Sequence, residues 1–344
     1  MYLESKPITR CRGGENPSAA GHSEITAQKR HFYFLLLPGS NMLDFSAAIE
    51  PLRTTNTVTG ITAYTWSVIT ETGEPVTCSN GIDIPAQTGL CATRHSDYVV
   101  ICSGNTGYLD ARPETLQWLR RHSRFGGRLA AIGTGAFTLA RAGLTNEAQM
   151  TLHWSLAPVF EEMFPRLDCL SARVLPDANV ASSAGGTASL DLTLSVIEAD
   201  FDNATAQKAA DHCVHDFDCH RTRSQRQTLS KMIGTRNPAF LNILKKMEHS
   251  LQDPLPVDEL LEDEKISRRQ IERLFNKHLN TSPSRYYRNL RLDRARVLLQ
   301  GTDLSIIDVA VATGFSSIDN FSKAYRKRFG ERPTADRFVA AKHG

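Results

Sequence analysis

The segment GRLAAIGTGAFTLARAGL (127–144) contains an apolar run, a Gly-Thr-Gly turn and then a helical pattern. Many α/β enzymes place a nucleophilic serine or cysteine at the tip of such a strand-to-helix turn. Here the tip is Gly133, which has no side chain. The segment therefore predicts a strand, a sharp turn and a helix within an α/β domain, at a turn that carries no nucleophile.

Four further apolar runs rich in strand-forming residues alternate with helical patterns. They are FYFLLLPG (32–39), YTWSVITE (64–71), DYVVICSG (97–104) and NVASSAGG (179–186). Near-continuous apolar strands separated by helices predict a parallel sheet covered on both faces, a flavodoxin-like α/β sandwich. Ligands on such sheets bind beyond the carboxyl ends of the strands. We therefore expect a binding site among the small and polar residues that end them, including Ser103, Gly104, Asn105, Gly133, Thr134 and Gly135.

Two common roles of a glycine-rich turn are disfavoured by its neighbours. A dinucleotide-binding turn needs a third glycine where this chain has Thr138, and an acidic residue at a strand end about twenty residues further on, which is missing. A serine-hydrolase turn needs Ser or Cys at its tip, and Thr134 without a paired base is a poor substitute. The turn is therefore interpreted as part of a binding pocket.

Length and composition set the broad class of the protein. At 344 residues the chain can form two domains with separate cores. Residues 1–29 are polar and lack the apolar core of a signal peptide, so a mobile tail is predicted. The apolar run from Phe32 to Leu37 is too short to cross a bilayer, and seven irregularly spaced cysteines favour a reducing compartment. We expect a cytoplasmic protein without a membrane segment, and no motif requires a cofactor.

A cluster of potential metal ligands lies where the two predicted domains join. His212, Cys213, His215, Cys219 and His220 stand close together, and zinc takes thiolate and imidazole ligands. The spacing matches no common zinc module, however, and a helix that ends in a polar linker explains the same residues. We predict no metal site here, with zinc as the alternative.

Positive charge is concentrated in the last third of the chain. The net charge of the whole chain is +3, whereas residues 236–344 contain 20 Lys and Arg against 14 Asp and Glu. Within that region, residues 265–299 contain ten basic and two acidic residues. A basic segment of this kind indicates a polyanionic partner such as a nucleic acid. A solvated surface that happens to be basic is the alternative.

The stretch LSIIDVAVATGFSSIDNFSKAYRKRFGERP (304–333) predicts a helix, a short turn and a second helix. The first helix has an apolar face of Ile307, Ala310 and Val311, and Gly314 can take the left-handed conformation that ends it. Ser316 or Ser317 can cap the second helix, whose Phe321, Tyr325 and Phe329 repeat every four residues. Its outward residues Asp319, Asn320, Lys323 and Arg326 can reach base edges and phosphates. A plain helical hairpin is the alternative.

A second unit of the same kind lies upstream in LPVDELLEDEKISRRQIERLFNKHL (255–279). Ser267 is the predicted cap of its second helix, and the side chains left outward are Arg268, Arg269, Glu272 and Arg273. The two predicted recognition helices begin fifty residues apart, at Ser267 and Ser317, and residues 282–300 read as a helix that connects the units. That helix can hold both units on one face, a helical turn of DNA apart.

These segments resemble the DNA-binding domain of AraC-family transcriptional regulators over roughly residues 236–337. The resemblance implies two helix-turn-helix motifs that enter successive major-groove segments of double-stranded DNA. It places Arg269, Glu272, Arg273, Asp319, Asn320 and Lys323 at or near base edges, and we also expect Arg268, Ser317 and Arg326 to contact DNA. One departure is that the first unit has Glu264 and Lys265 where the turn of the family often carries glycine.

The N-terminal part resembles the class I glutamine amidotransferase-like superfamily, which includes PfpI-type proteases and isocyanide hydratase, over about residues 31–225. In that group the turn reads Cys-Thr-Gly and is followed by Thr-x-His-Trp. This chain has Gly133-Thr134-Gly135, then Thr151-Leu152-His153-Trp154, and Asp44 matches the acidic residue that accompanies the cysteine. Only the sulfur is missing. A ligand carboxylate can then approach the amides at the start of the helix, Asp44 can bind an ammonium group, and His153 and Trp154 can supply a hydrogen bond and an aromatic face. For His153 and Trp154, structural or core roles are the alternatives.

The combination of both parts resembles the GlxA subfamily of AraC regulators. That resemblance implies a small-molecule effector of the nitrogenous kind, such as arginine, glycine betaine or carnitine, together with DNA, RNA polymerase and a second copy of the chain as partners. We expect an activator that is not an enzyme, with a ligand-sensing and dimerisation domain at 30–225, a linker at 226–237 and a DNA-binding domain at 238–344. One alternative is a hydrolase or hydratase with residual activity fused to a DNA-binding domain, and another is a nucleic-acid-binding protein without an effector.

Overall fold

The computed structural model describes residues 29–104, 111–145, 149–217, 225 and 232–340. Within residues 29–217 the described elements are, in chain order, β1 (Arg30–Leu36), α1 (Met42–Thr59), β2 (Tyr64–Ile69), β3 (Val76–Thr77), β4 (Asp83–Ile84), β5 (Tyr98–Ser103), α2 (Pro113–Arg124), β6 (Arg128–Gly133), α3 (Gly135–Arg141), β7 (Gln149–Met150), α4 (Ala157–Met163), β8 (Asp168–Cys169), β9 (Val174–Leu175), β10 (Val180–Ser183), α5 (Ala188–Asp200) and α6 (Asn203–His212).

Six of these strands form one sheet in the order β2-β1-β5-β6-β10-β9. Neighbouring strands run parallel except β9, which pairs with β10 in the antiparallel direction. All six residues of β5 are buried, as expected of a central parallel strand with both faces covered. The predicted parallel α/β sheet is therefore confirmed, and each of the five predicted runs forms one of its strands.

The sheet separates two hydrophobic cores. Phe34 faces one core with Leu52 of α1 and Leu192 of α5, whereas the next residue, Leu35, faces the other core with Phe137 of α3 and Phe160 of α4. Successive side chains of a strand point to opposite faces, so an uninterrupted apolar run serves both cores at once. Burying both faces holds the ends of the strands in fixed positions, and the ends of β5, β6 and β10 lie side by side.

The C-terminal part is helical. Its described elements are α7 (Pro238–His249), α8 (Val257–Leu261), α9 (Arg268–Leu279), α10 (Pro283–Gly301), α11 (Ile306–Ala312), α12 (Ile318–Phe329) and α13 (Pro333–Ala340). One core gathers around Phe240, Ile271 and Phe275, and a second gathers around Val309, Phe321 and Tyr325. The helix α10 contributes to both cores, so it connects the two helix-turn-helix units as predicted.

The buried face of α11 differs from the predicted one. Ile307 and Val311 are each 60% exposed, while Val309 and Ala310 are buried and Ile306 is partly buried. Ser305 caps the helix through the backbone N–H of Asp308, so the first turn starts at Ile306. The stripe at positions i, i+3 and i+4 therefore runs from Ile306 rather than from Ile307.

The two parts of the chain touch through α4 and α10. Arg294 of α10 lies 3.7 Å from the carboxylate of Glu161 on α4. Val297, one helical turn further along α10, packs against the hydrophobic core that contains Phe160. The helix that joins the two helix-turn-helix units is thus also the helix that contacts the α/β domain. Among the described helices, none has the length and apolar character needed to span a bilayer.

Candidate functional site

A cavity of about 380 Å³ lies at the carboxyl edge of the sheet. Its walls come from the residues that follow the strand ends, from the start of α1 and from the start of α5. Of the predicted pocket residues, it is lined by Asp44, Ser103, Gly104, Gly133, Thr134, His153 and Trp154, and it is also lined by Asn41, Ser79, Arg173, Gly185, Thr187 and Gln225. A cavity of this size suits a small ligand.

Gly133 occupies the tip of the strand-to-helix turn, with φ at +57°. A Cβ atom built at this position would lie 2.8 Å from Oδ2 of Asp44. In a protein with cysteine here, the side chain and the acid would meet in this space. Without a side chain, the space is open to a ligand that contacts Asp44, and covalent catalysis at the turn is not possible.

Asp44 lies in the first turn of α1 and is 5% exposed. Its Oδ1 accepts the backbone N–H of Gly186 at 2.5 Å, and its Oδ2 is close to the positions that side chains would occupy at Gly133 and Gly185. Burial raises the pKa of Asp44 to about 6, against the opposing effect of the Gly186 N–H bond. Above this pH the cavity contains a buried carboxylate, which favours a cationic group on the ligand.

This raised pKa predicts a pH dependence of stability. The pKa of Asp44 in the unfolded chain is near 3.8. The contribution of Asp44 to the free energy of unfolding is therefore fully present below pH 3.8 and is lost as the pH rises through 6. The loss corresponds to about 2 to 3 kcal/mol for a fully buried carboxyl. Asp44→Asn keeps the acceptor for Gly186 and removes the charge. We expect this variant to unfold at a higher temperature than the wild type at pH 7.5, and the difference to shrink at pH 4.

Thermal unfolding of both proteins between pH 4 and pH 8, without ligand, measures this difference. Asp83→Asn is a suitable control because Asp83 lies in the same domain and is exposed. Parallel pH profiles of the wild type and Asp44→Asn would contradict the assignment of a raised pKa to Asp44.

His153 and Trp154 lie at the rim of the cavity. His153 bonds to Ser155 through Nδ1 at 2.7 Å, and burial lowers the pKa of its ring. Trp154 is 45% exposed, so it is a rim residue rather than part of the core. Its backbone N–H donates to Oε1 of Gln225 at 2.8 Å. An exposed indole at a pocket rim can cover a cation.

The remaining predicted residues have different outcomes. Gly135 does not line the cavity: it starts α3 beneath the turn, where a Cβ atom would clash with the carbonyl oxygen of Ile101. Thr134 lines the cavity, but its hydroxyl donates to the carbonyl oxygen of Gly104 at 2.7 Å. Asn105 lies outside the described residues. The helix α3 has only seven residues, so its dipole is small and gives little support to the prediction that its start binds a carboxylate.

Gln225 was not anticipated from the sequence. It lines the cavity, and its side-chain amide donates to Oγ1 of Thr151 at 3.1 Å and to the carbonyl oxygens of Leu152 and Ala172 at 2.8 and 2.9 Å. A glutamine in a polar segment belongs to no local sequence motif, so the sequence alone does not indicate that it lines a cavity. Gln225 is the last residue of the predicted α/β domain, and its side chain bonds to the cavity wall.

The described residues that could have served as zinc ligands near residue 215 have separate partners. His212 bonds to the carbonyl oxygen of Lys208, Cys213 lies 3.8 Å from the hydroxyl of Thr54, and His215 bonds to Asp191 at 2.6 Å. Cys219 and His220 are outside the described residues. In the described part of the chain, no group of three or more His, Cys, Asp or Glu side chains is arranged to hold a metal ion.

The two predicted recognition helices are α9 and α12. Ser267 caps α9 in a reciprocal capping box with Gln270, and Ser317 caps α12 through the N–H of Asn320. The predicted DNA-contacting side chains other than Ser317 are all exposed: Arg268, Arg269, Glu272, Arg273, Asp319, Asn320, Lys323 and Arg326. Arg268 lies 3.1 Å from Asp258 and 3.7 Å from Glu272, so two of these side chains form surface ion pairs in the free protein.

The turn of the second helix-turn-helix unit is held from α10. Arg291 donates from Nε to the carbonyl oxygen of Thr313 at 2.7 Å and from Nη2 to that of Gly314 at 2.6 Å. Its guanidinium also lies 4.1 Å from the centre of the Phe315 ring. These contacts satisfy carbonyl groups at the end of α11, which have no partner within the helix. Arg291 thereby fixes the direction in which α12 leaves the turn.

Two helix-turn-helix units on one connecting helix, joined to an α/β domain with an open cavity, define a two-domain transcriptional regulator. The sequence matches the family model "Helix-turn-helix domain" over residues 260–337 and the "DJ-1/PfpI family" over residues 30–199. The chain belongs to the AraC-type transcriptional regulators with a DJ-1/PfpI-like N-terminal domain, the group that includes GlxA.

Individual relatives span nearly the whole chain. The HTH-type transcriptional regulator CdhR of Pseudomonas aeruginosa is 37% identical over 308 residues, which cover 90% of this chain and 91% of that protein. The HTH-type transcriptional regulator GlxA of Rhizobium meliloti is 34% identical over 307 residues, or 87% and 93% of the two chains. A ThiJ/PfpI family protein of Pseudomonas syringae shares the fold with a TM-score of 0.51 at 19% identity, covering 68% of this chain and 93% of that one.

Proposed function

We propose that the protein is an effector-controlled regulator in which a small ligand with a cationic nitrogen binds in the cavity and changes how α9 and α12 bind DNA. The observation that carries this proposal is the position of Asp44, whose Oδ2 faces the space left open by Gly133. A buried carboxylate without a counter-charge is unfavourable, so a bound cation compensates it. The protein acts as a homodimer and activates transcription by RNA polymerase.

The absence of a nucleophilic side chain at residue 133 favours a regulator over an enzyme. Gly133 has no side chain that could react. Thr134 is only 3% exposed, and its hydroxyl already donates to the carbonyl oxygen of Gly104. His153 bonds to the hydroxyl of Ser155, and both residues line the cavity. A residual hydrolase or hydratase activity would therefore depend on Asp44 or on the His153–Ser155 pair, and assays against amides and esters would reveal it.

Two contacts support a path from the cavity to the DNA-binding domain. The rim residues His153 and Trp154 lead into α4, and α4 contacts α10 through Glu161 and Arg294. Gln225, directly before the predicted linker, bonds to the cavity wall through the carbonyl oxygen of Leu152. A ligand that moves the rim by a small distance would shift α10, on which both DNA-reading units are mounted. Coupling of about 1 to 3 kcal/mol is typical between such sites.

The proposal is tested by selecting DNA sites from a random library with the full-length protein and footprinting the selected site at fixed salt. Footprints and transcription with RNA polymerase are then compared with and without glycine betaine, carnitine and L-arginine. We expect one of these compounds to change operator affinity at least fivefold and to increase transcription. Site-specific binding that none of them alters would overturn the ligand part of the proposal, and the absence of any selected site would overturn the whole.

Reversing the charges at the α4–α10 contact is expected to weaken the response to the effector. Glu161→Arg places like charges near Arg294, which disfavours the observed domain contact by about 1 kcal/mol, since surface ion pairs contribute little. We expect the ratio of operator affinities with and without effector to fall severalfold. The double variant Glu161→Arg with Arg294→Glu restores the attraction and should recover most of the ratio.

Glu162→Arg is the matched control, because Glu162 is the exposed neighbour of Glu161 on the same helix. Footprint titrations of the four proteins measure the ratio. An equal loss in Glu162→Arg, or no recovery in the double variant, would show that the α4–α10 contact does not carry the signal.

A further inference from the structure

Arg173 lines the cavity, although nothing in the local sequence marks it as a binding residue. It immediately precedes β9, and its carbonyl oxygen accepts the N–H of Ala184, next to the glycines beside Asp44. Its side chain is 31% exposed. The guanidinium therefore combines access to the cavity with a fixed backbone position on the same edge of the sheet as Asp44.

The guanidinium is held on one side only. Nε and Nη2 donate to Oδ2 of Asp191 at 3.1 and 2.8 Å, and Nη2 also lies 3.3 Å from the hydroxyl of Thr187. Within the described residues, Nη1 has no hydrogen bond of its own. The geometry leaves two N–H donors of a charged arginine for a group that enters the cavity.

The start of α5 adds to the positive potential at this end of the cavity. Thr187 and Ala188, which begin this thirteen-residue helix, both line the cavity. No side chain caps the N-terminus of α5. The positive end of the helix dipole and a neighbouring arginine both favour an anion, and a carboxylate matches the planar guanidinium.

We infer that Arg173 binds the carboxylate of the effector while Asp44 binds its cationic nitrogen, so that the cavity selects small zwitterions. This inference rests on the proposed function and names the ligand class of the same site. A simple cation would satisfy Asp44 but would meet the positive charge of Arg173. A simple anion would be attracted by Arg173 but repelled by Asp44. Only a ligand with both charges meets an opposite charge at both residues, so the cavity discriminates through repulsion as well as attraction.

Asp191 bonds to both Arg173 and His215. Its Oδ1 accepts from Nε2 of His215 at 2.6 Å, while its Oδ2 binds Arg173. His215 follows α6 directly, close to the end of the described part of the α/β domain. A carboxylate ligand that draws Arg173 toward the cavity competes with Asp191 for the guanidinium. The ion pair of Asp191 thus positions Arg173 but is not required for its charge to attract the ligand.

The test uses two matched pairs of probes, glycine betaine with choline and L-arginine with agmatine. Within each pair the cationic group is the same, and only the first compound has a carboxylate. Titration calorimetry with the full-length wild type is expected to show at least tenfold tighter binding of the carboxylate compound in one of the pairs. A charge-assisted bidentate contact is worth a factor of this order.

Arg173→Gln is expected to reduce this preference to less than threefold, and Arg173→Lys to retain an intermediate preference, because the charge remains without the bidentate geometry. Asp191→Asn should keep most of the preference. Asp44→Asn should weaken the binding of both members of the pair. The control is Arg166→Gln, an exposed arginine outside the cavity, which should behave as the wild type. Unfolding curves establish which variants are folded. If Arg173→Gln does not fold, the ligand preference of Arg173→Lys tests the inference instead.

Three results would overturn the inference. One is a preference for the carboxylate compound that survives in both Arg173 variants. Another is a wild type that binds choline or agmatine as tightly as its carboxylate partner, which would leave the proposed regulator intact with a purely cationic effector. The third is no binding of any probe together with an operator footprint that does not respond, which would remove the ligand class from the proposed function as well.

Discussion

Gly314→Ala is expected to destabilise the DNA-binding domain by about 3 kcal/mol and to abolish specific operator binding. Gly314 has φ at +72°, in the left-handed region that alanine adopts only with strain. A Cβ atom would lie 2.6 Å from Cδ of Pro254, 2.7 Å from the carbonyl oxygen of Gln252 and 2.9 Å from that of Leu251. Two of these neighbours are backbone atoms, so they cannot give way without moving the loop between α7 and α8.

The effect on DNA binding follows from where this loop lies. It leads into the first helix-turn-helix unit, whereas Gly314 forms the turn of the second, so the substitution pushes the two units apart. Arg291, which bonds to the carbonyl oxygen of Gly314, would lose its alignment as well. Both DNA-reading helices must face successive major-groove segments, and a shift between them costs contacts in both.

Gly330→Ala is the matched control for this substitution. Gly330 also has a positive φ, +84°, at the end of α12, but a Cβ atom built there would have no neighbour within 4 Å. Only the conformational strain remains, about 1 kcal/mol. Chemical unfolding and operator titration of both variants separate crowding from strain. Equal losses in the two variants would mean that the close approach at Gly314 does not set the geometry.

Arg269→Ala and Lys323→Ala are expected to weaken specific DNA binding by about 1 to 3 kcal/mol each, roughly fivefold to 150-fold. Arg269 lies on α9 and Lys323 on α12, and both side chains are exposed and form no ion pair within the described residues. Because the two residues belong to separate recognition helices, their effects should add in the double variant.

Titration of the selected operator and of unrelated DNA at fixed salt measures these effects. A base contact lowers affinity for the operator more than for unrelated DNA, whereas a phosphate contact lowers both alike and reduces the salt dependence. Lys208→Ala, an exposed lysine on α6 of the other domain, serves as the control. Unchanged operator affinity in either recognition-helix variant would remove that residue from the DNA-binding surface.

Local patterns in the sequence predicted most of the fold. Strand β5 was recognisable because six consecutive apolar or small residues bury both faces of a central strand. The helix-turn-helix units were recognisable because Phe321 and Tyr325 stand one helical turn apart and Ser267 has a capping partner three residues later. These signals are short-range, since strand alternation, helical periodicity and capping each depend on a few neighbouring residues.

The candidate pocket was predicted only in part. Gly133, Asp44 and the His153-Trp154 pair were identified through a family pattern, because their spacing along the chain alone does not bring them together. Arg173 and Gln225 were missed, as neither belongs to a local motif and the folded sheet alone brings them to the cavity. Gly135 was expected in the cavity but lies beneath it, since the first turn of α3 packs against β5.

The sequence alone determined the two kinds of domain, the order of their elements and the loss of the nucleophile at residue 133, because each depends on residue type or short-range periodicity. Tertiary structure decided which side chains share the cavity, that α11 buries Ile306 rather than Ile307, and that Arg291 and the Leu251–Pro254 loop fix the second DNA-reading unit. These features depend on contacts between residues far apart in the chain, and the packing of whole elements sets such contacts.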